Sequence, residues 1–544
     1  MILETLLLRC LIFNITITIK KMTMKIAAAE RKWSPCRCLP FCCSRGTIEF
    51  PIEKILEKAN KLGIIEKYLC KMPAFFFPGE RSAKMSIQTK LLSLGMKRRG
   101  KPLSATKIIA AAFAVIILVG AALLMLPAAS RSGSSCGFLP ALFTATSATC
   151  VTGLTPFDTW TQWSGLGQTV LLCLIEIGGL GFMSAATLVV FVLRRRIGLR
   201  QRLVMAQALS LNEIDGVVRL QKTVLVGSLS MEALGAAILT CRFWPEYGFF
   251  RALRWGVFHS VSAFCNAGFD IFGVLNPGSS LMEFQSDPVV LLTISALVVV
   301  GGLGFLVWEE IGTHRFAFHK YSVYAKLVLV TTGCLLLTGW GLTLLLEWNN
   351  PLTLGSMSWG DKLLNGFFQS VTLRTAGFAA MDQGSLTDAG KAVSMGLMLI
   401  GGSSGSTAGG LKTVTFVVLL LFIRARARGR STVCAFKRTI PQSQVLDAMT
   451  IAAIMILLGF FGGAFVSATS GVSFTDALFE AISALGTVGL TAGITGSLTV
   501  PSQILIILYM YFGRVGVLTI SLGFLMGDRA EERFQYAQTS LLIG

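Results

Sequence analysis

Four glycine-containing tripeptides recur along the chain, and their residue types suit a cation site made of backbone carbonyls. Glycine permits the backbone angles that turn carbonyl oxygens toward one side, which β-branched neighbours alone resist. A ring of such oxygens replaces the hydration shell of an ion. We predict one filter formed by Val151, Thr152, Gly153, Asn266, Ala267, Gly268, Thr375, Ala376, Gly377, Thr487, Val488 and Gly489.

Each tripeptide lies near the end of a segment that pairs a Phe with a Gly nine or ten residues later. The segments are 143–154, 258–269, 368–378 and 479–490, and they recur about every 110 residues, which indicates an internal repeat. One apolar span precedes each segment and another follows it. We therefore divide the chain into an atypical N-terminal extension and four repeats, at 1–95, 96–203, 204–323, 324–440 and 441–544.

A second motif follows each tripeptide: "IGGLGF", "VGGLGF", "IGGSSG" and "FGRVGV", with first glycines at Gly178, Gly301, Gly401 and Gly513. In a single membrane helix, such glycines most often allow close helix packing. Four equivalent copies instead favour positions around a shared axis.

The composition predicts an integral membrane protein. The 544 residues are 53% hydrophobic and have a mean hydropathy of +0.68. Apolar runs beginning at Ile108, Thr169 and Ile504 are long enough to cross a hydrocarbon core of about 30 Å. Irregular backbone within a membrane must be buried in protein or line a cavity. Thr487, Val488 and Gly489 resemble the start of the Thr-Val-Gly-Tyr-Gly filter of potassium channels. We predict an all-α fold in which four pseudo-symmetric helix–pore-loop–helix repeats surround a central, potassium-channel-like pore.

The net charge of +20 comes largely from short basic loops, for example 194–202 and 424–438. This is the positive-inside pattern, so we place these loops, both chain termini and a short C-terminal tail in the cytoplasm and predict no nucleic-acid partner. Residues 132–164 and 271–288 contain no Lys or Arg and should face outward. All four repeats then begin on the same side, which favours a pore over the alternative, a secondary carrier for another cation or a small solute.

The apolar stretch 391–423 is longer than one span requires, and its surplus is the small, polar run "GGSSGSTAGG" at 401–410. Glycines weaken a continuous helix, so we predict two half-helices joined by an intramembrane gate loop below the filter. A phosphate-binding loop is the rival, but Leu411 interrupts its spacing. The predicted gate comprises Gly401, Gly402, Gly405, Gly409, Gly410, Lys412 and Arg514.

Arg514 occupies the place that glycine holds in the other repeats. A mid-span arginine costs about 2.5–3.5 kcal/mol to insert and usually faces a bundle interior or cavity. We expect it on the axis, repelling a cation below the filter or holding the gate loop through carbonyl oxygens. The alternative is an ion pair with Glu176 or Glu232.

Three acids, Asp158, Asp270 and Asp382, follow filter segments on the predicted outer side. They either concentrate cations at the mouth or are ordinary solvated loop acids.

Enzyme chemistry is not predicted. The chain has three histidines and neither H-E-x-x-H nor G-x-S-x-G, and His259 is expected to be a packing residue. The thirteen cysteines predict no disulfide framework, and the group at 36–43 lacks the paired spacing of a zinc site.

The four loops, the "GGSSGSTAGGLKT" stretch and the "GRVG" of the last span resemble the Trk/Ktr/HKT superfamily of potassium transporters, most closely the bacterial KtrB-type membrane subunit. The likeness runs from about residue 97 to the end. It implies uptake of K⁺ across the plasma (inner) membrane of a bacterium, with Na⁺ as a coupling or activating ion. It also implies a homodimer in membrane lipid and a cytosolic nucleotide-binding regulatory ring of the KtrA/TrkA type.

Overall fold

A computed structural model describes residues 105–181, 217–315 and 317–516, and this part of the chain is built of α-helices with a small two-stranded hairpin. The predicted N-terminal extension, the cysteine group at 36–43, the basic residues at 194–202 and the C-terminal tail lie outside the described residues.

Repeat 1 contains an outer helix, a pore helix, a short connecting helix and an inner helix. The pore helix has 13 residues and is therefore about 20 Å long, too short to cross a bilayer. Ser164 caps the inner helix by accepting a hydrogen bond from the Gly167 N–H. In chain order these elements are α1 (Ala105–Leu124), α2 (Phe138–Cys150), α3 (Thr159–Gln162) and α4 (Gly165–Leu180).

Repeat 2 has the same order, with an inner helix that breaks and turns. Asp287 caps that helix by accepting from the Val289 and Val290 N–H groups. The two halves of the inner helix make an angle of 96° at Gly304. The outer, pore and two inner segments are α5 (Val217–Tyr247), α6 (Phe249–Phe264), α7 (Pro288–Leu303) and α8 (Phe305–His314).

Repeat 3 also has a divided inner helix, and its halves are separated by an irregular stretch, called here the 400–412 loop. The helices are α9 (Val323–Glu347), α10 (Trp359–Thr372), α11 (Asp388–Leu399) and α12 (Thr413–Ala427). An antiparallel hairpin of β1 (Cys434–Ala435) and β2 (Arg438–Thr439) follows. The predicted break of this span into two half-helices is thus present.

Repeat 4 consists of α13 (Gln442–Ser470), α14 (Phe474–Gly486) and α15 (Val500–Val515), which are its outer, pore and inner helices. Ser473 caps the pore helix by accepting from the Asp476 N–H.

The repeats close into a ring. The inner helix α4 packs against the pore helix α6 of the next repeat, α7 against α10, and α11 against α14. The ring closes where α15 of repeat 4 packs against α2 of repeat 1. This arrangement confirms the predicted all-α architecture of four pseudo-symmetric repeats.

The repeating phenylalanine of each pore segment anchors its pore helix in the interior. Phe143, Phe258, Phe368 and Phe479 are all buried. Burying a side chain of this size contributes about 1.5–3 kcal/mol, so the pattern seen in the sequence has a packing cause.

The outer helices α1, α5, α9 and α13 are long and apolar enough to cross a membrane. The inner helices differ from the sequence prediction of uninterrupted spans, because α4, α7 and α15 end in a glycine with positive φ. These residues are Gly181, Gly304 and Gly516, with φ of 82°, 93° and 95°. Glycine adopts this conformation at little cost, and it lies at the same place in each motif.

Candidate functional site

The four predicted filter tripeptides converge on one another. A Cβ added to Gly153 would lie 3.3 Å from the Cα atoms of both Gly268 and Gly489. A Cβ on Gly268 would lie 2.7 Å from Gly377 Cα, and a Cβ on Gly377 would lie 2.6 Å from the Val488 carbonyl oxygen. The glycines therefore form a ring in which a side chain would collide with a neighbouring repeat.

The backbone conformation of the tripeptides is repeated in all four copies. Their first residues, none of them glycine, have positive φ, and so do their glycines, whereas the middle residues do not. Alternating left-handed and right-handed residues point successive carbonyl oxygens to the same side of the chain, unlike an ordinary strand. The values are 58°, 60°, 65° and 52° for Val151, Asn266, Thr375 and Thr487, and 101°, 70°, 80° and 94° for the glycines.

A hydroxyl near the C-terminal end of each pore helix bonds to the backbone of the adjoining tripeptide or of the residue that directly follows it. Ser147 Oγ accepts from the Gly153 N–H at 3.0 Å, and Ser483 Oγ accepts from the Gly489 N–H at 3.1 Å. In the other two repeats the hydroxyls of Ser262 and Thr372 donate to the carbonyl oxygens of Phe269 and Phe378. These four hydroxyl residues were not among the predicted filter residues, although each lies five or six positions before its glycine.

The 400–412 loop is held against repeat 2 by main-chain hydrogen bonds. The Ser403 N–H donates to the Gly302 carbonyl at 3.0 Å, and the Phe305 N–H donates to the Gly405 carbonyl at 2.9 Å. Within repeat 3 itself, the Tyr324 hydroxyl of α9 also donates to the Ser404 carbonyl of the loop, at 2.8 Å. Irregular backbone inside a membrane protein needs such partners, and here protein supplies them.

The same loop contacts the tripeptides of two opposite repeats. The Thr407 hydroxyl donates to Asn266 Oδ1 at 2.9 Å, and Asn266 is the first tripeptide residue of repeat 2. Gly409 lies so close to the Thr487 side chain, in repeat 4, that a Cβ would overlap it. The loop therefore lies against the tripeptide ring, at the end next to the pore helices.

Arg514 donates to carbonyl oxygens and not to a carboxylate. Its guanidinium binds the Thr407 carbonyl of the 400–412 loop and the Gly178 and Gly179 carbonyls of α4. Within the described residues, the ion pairs join Arg242 to Glu246 and Asp287 and Lys391 to Asp476, so Arg514 takes no part in one. The second cation of the predicted gate, Lys412, donates to the Ala408 carbonyl within the loop at 2.7 Å.

Arg374 is a further buried cation that the sequence analysis did not single out. It follows α10 and directly precedes Thr375. Its Nη2 atom donates to the Gly401 carbonyl at 3.2 Å and to Thr413 Oγ1 at 3.3 Å, so it joins both ends of the 400–412 loop to the pore segment. Only its place beside the repeat 3 tripeptide could have drawn attention to it.

The first glycines of the inner-helix motifs have a packing role. A Cβ on Gly178 would overlap the Thr149 carbonyl, and one on Gly301 would overlap the Phe264 carbonyl. Gly513 meets the Leu485 carbonyl in the same way, and Gly401 meets the carbonyl of Gly409. Close packing of inner helices on pore-helix ends therefore accounts for three of the four, the interpretation that the sequence analysis gave less weight.

The three acids that the sequence places on the outer side have different environments. Asp158 caps α3 and also accepts from the Gly278 N–H at 3.1 Å, and Asp382 accepts from the Gly384 N–H within its own turn. Asp270 lies beyond the repeat 2 tripeptide, where burial and the neighbouring charge of Asp158 raise its pKa to about 7. Its charge therefore changes near neutral pH.

His259 is a buried packing residue, as expected. Its Nε2 accepts from the Ile271 N–H at 3.2 Å, its Nδ1 contacts the Trp255 carbonyl at 2.7 Å, and its ring stacks on Phe272 at 3.8 Å. These contacts brace the backbone beyond the repeat 2 tripeptide.

Comparison with known proteins gives a family match over most of the chain. The model of a family described as TrkH, cation transport protein, matches residues 86–533, and so begins ten residues before the first predicted repeat. A potassium/sodium uptake protein NtpJ of Enterococcus hirae is 41% identical over 83% of this chain and 100% of its own length. A Ktr system potassium uptake protein B of Bacillus subtilis is 39% identical over 79% of this chain and 94% of its own.

A solved structure shares the fold. The potassium transporter TrkH from Vibrio parahaemolyticus superimposes with a TM-score of 0.61, covering 88% of this chain and 97% of that one, at 18% identity.

Proposed function

The chain belongs to the family of TrkH cation transport proteins, and from that premise we propose that it takes up potassium ions through a filter formed by its four tripeptides. It is a multi-pass membrane protein of the Trk/Ktr potassium and sodium uptake group and not an enzyme. The proposal therefore concerns how ions cross, what gates them and what the chain assembles with.

One observation carries the filter proposal, namely the ring of four tripeptides with the same alternating backbone conformation. Such a ring offers layers of carbonyl oxygens that replace the water shell of a cation. Because the four loops differ in sequence, the ring is less regular than one formed by four identical chains. We place the transported K⁺ within this ring.

We propose that the 400–412 loop and Arg514 gate the pathway. The loop lies against the inner end of the tripeptide ring and bonds to repeats 2 and 3, and Arg514 ties it to repeat 1. Opening requires these bonds to break together, which a change in the neighbouring inner helices would favour. The guanidinium charge below the ring also repels a cation.

The assembly that supports this function is proposed from the family. The printed names of the relatives include a potassium/sodium uptake protein, and on that basis we propose that Na⁺ couples to or activates K⁺ uptake. We further propose a homodimer with a cytosolic nucleotide-binding ring, in a bacterial plasma membrane with both termini cytoplasmic. The basic loops support that orientation.

Cation uptake into proteoliposomes that hold the purified full chain tests the filter proposal. K⁺, Rb⁺ and Na⁺ fluxes are compared for the wild type, Gly377→Ser and Gly396→Ser. Gly396 has open space around it in the same repeat, so its variant is the matched control. We expect potassium-selective flux that Gly377→Ser abolishes or opens to Na⁺ and that Gly396→Ser preserves. The same cation fluxes in Gly377→Ser and Gly396→Ser would contradict the proposal.

A further inference from the structure

Three potential metal ligands converge where α4 of repeat 1 packs against repeat 2. Glu176 on α4, Glu232 on α5 and Cys265 at the end of α6 place their ligand atoms within 4.8 Å of one another. Cys265 and Glu232 are buried and Glu176 is partly buried. They come from two repeats and three separate elements, so no sequence motif predicts that they form one group.

The distances suit a small tetrahedral ion. Cys265 Sγ lies 3.5 Å from Glu176 Oε2 and 3.9 Å from Glu232 Oε1. A tetrahedral zinc ion, with Zn–S near 2.3 Å and Zn–O near 2.0–2.2 Å, separates sulfur and oxygen ligands by about 3.6 Å. Only small side-chain adjustments are therefore needed to bring all three donors onto one ion.

The charge of the site also calls for a cation. Acids within membrane-spanning segments are costly, and buried carboxylates are paired with another charge or coordinate a metal ion. In the part of the chain with described coordinates, neither glutamate takes part in an ion pair. Gly179 lets the thiol approach, because a Cβ there would lie 2.5 Å from Cys265 Sγ.

We propose that Glu176, Glu232 and Cys265 bind a borderline-soft divalent metal ion, such as Zn²⁺, with water as the fourth ligand. Binding releases the thiol proton, and any proton held between the two carboxyl groups, to solvent, because the thiolate and the carboxylates are the ligands. The bound ion would join the inner helix of repeat 1 to the outer and pore helices of repeat 2, directly behind Asn266. This inference does not depend on the proposed transport function.

Cobalt(II) titration of the purified full chain tests the site. Tetrahedral cobalt has intense visible absorption bands, and a cobalt–thiolate bond adds a charge-transfer band in the near ultraviolet. The six cysteines before residue 100 are replaced by serine in all samples, so that their thiols cannot contribute to the cobalt spectrum. Cys150→Ser is the matched control: Cys150 directly precedes the tripeptide of repeat 1, as Cys265 does in repeat 2, is buried, and belongs to no three-donor group among the described residues.

We expect one tetrahedral cobalt per chain, displaced by Zn²⁺. Cys265→Ser should lose the charge-transfer band, and Glu232→Gln should weaken binding at least about tenfold. Cys150→Ser should behave like its parent. If the parent protein shows no tetrahedral cobalt spectrum, the proposal is overturned. The two carboxyl groups of Glu176 and Glu232 would then share a proton in place of a metal ion. A tetrahedral cobalt spectrum that is unchanged in both Cys265→Ser and Glu232→Gln would also overturn the proposal.

Discussion

Arg374 donates to the carbonyl oxygen of Gly401 over 3.2 Å, and this bond links the pore segment of repeat 3 to the start of the 400–412 loop. Arg374 precedes Thr375, the first tripeptide residue, without a break. The proposed filter and the proposed gate are thus connected by one buried side chain, so a change in the structure of one should alter the structure of the other.

Replacing Arg374 by Gln should therefore change both gating and selectivity. Loss of one hydrogen bond to a charged group, worth about 1.5–3 kcal/mol, favours opening at least about tenfold. We expect K⁺ flux to rise by that factor and the preference for K⁺ over Na⁺ to fall, because the residue that adjoins Thr375 is then no longer bonded to the loop. Flux assays on proteoliposomes measure both quantities, with Arg424→Ala, an exposed arginine of α12, as the control. Unchanged selectivity would refute the link.

Arg514→Ala should raise flux without the same loss of selectivity. Arg514 binds carbonyls of the 400–412 loop and of α4 but no tripeptide residue. Hydrogen bonds to charged groups contribute about 1.5–3 kcal/mol, so loss of one favours the open state at least about tenfold. Arg514→Lys keeps the charge and should give an intermediate flux. A flux equal to that of the wild type would show that Arg514 does not hold the loop closed.

Ser483→Ala should reduce selectivity through the repeat 4 tripeptide. It removes the acceptor of the Gly489 N–H, and a buried donor without a partner costs about 1–3 kcal/mol. We expect the K⁺ to Na⁺ flux ratio to drop at least about fivefold while the chain still folds. Ser497→Ala, a change at an exposed serine of the same repeat, should leave the ratio unaltered. Equal ratios for both variants would argue against a filter held by these hydroxyls.

Uptake should depend on external pH through Asp270. Its pKa is raised to about 7, so the carboxyl group is charged above that pH and neutral below it. Acidifying the outer solution from about pH 8 to about pH 6 removes one negative charge from the mouth. A unit charge about 8 Å from an ion in water is worth about 0.5 kcal/mol. Uptake by the wild type should therefore fall about twofold on acidification, because the mouth then attracts cations less.

The pH profile of Asp270→Asn checks this prediction. The variant should have the low uptake at both pH values, whereas Asp382→Asn, which alters a turn acid, should keep the wild-type slope. Identical slopes for wild type and Asp270→Asn would assign the pH response to another group.

Residues could be predicted from the sequence where the same role recurs in every repeat. Gly153, Gly268, Gly377 and Gly489 were found because the same chemistry occurs four times, and the apolar surplus around Gly405 indicated the loop. A side chain that acts once leaves no such pattern. Arg374 was therefore missed, even though it precedes a tripeptide that was found.

Contacts between elements that are far apart in the sequence also could not be predicted. Glu176 and Cys265 lie 89 residues apart, and only the packing of α4 on α6 brings them together. The ends of the inner helices at Gly181 and Gly516 were missed for another reason, because hydropathy continues past both glycines. Backbone conformation, and not apolar length, ends those helices.

The location of the permeant ion tests the central claim most directly. Crystals of the full chain grown with Rb⁺ in place of K⁺ give an anomalous signal at bound rubidium. We predict a peak on the axis between the four tripeptides, ringed by carbonyl oxygens and lost when K⁺ is restored. A ring that holds no rubidium under conditions that support Rb⁺ flux would contradict the account, because ions would then cross elsewhere.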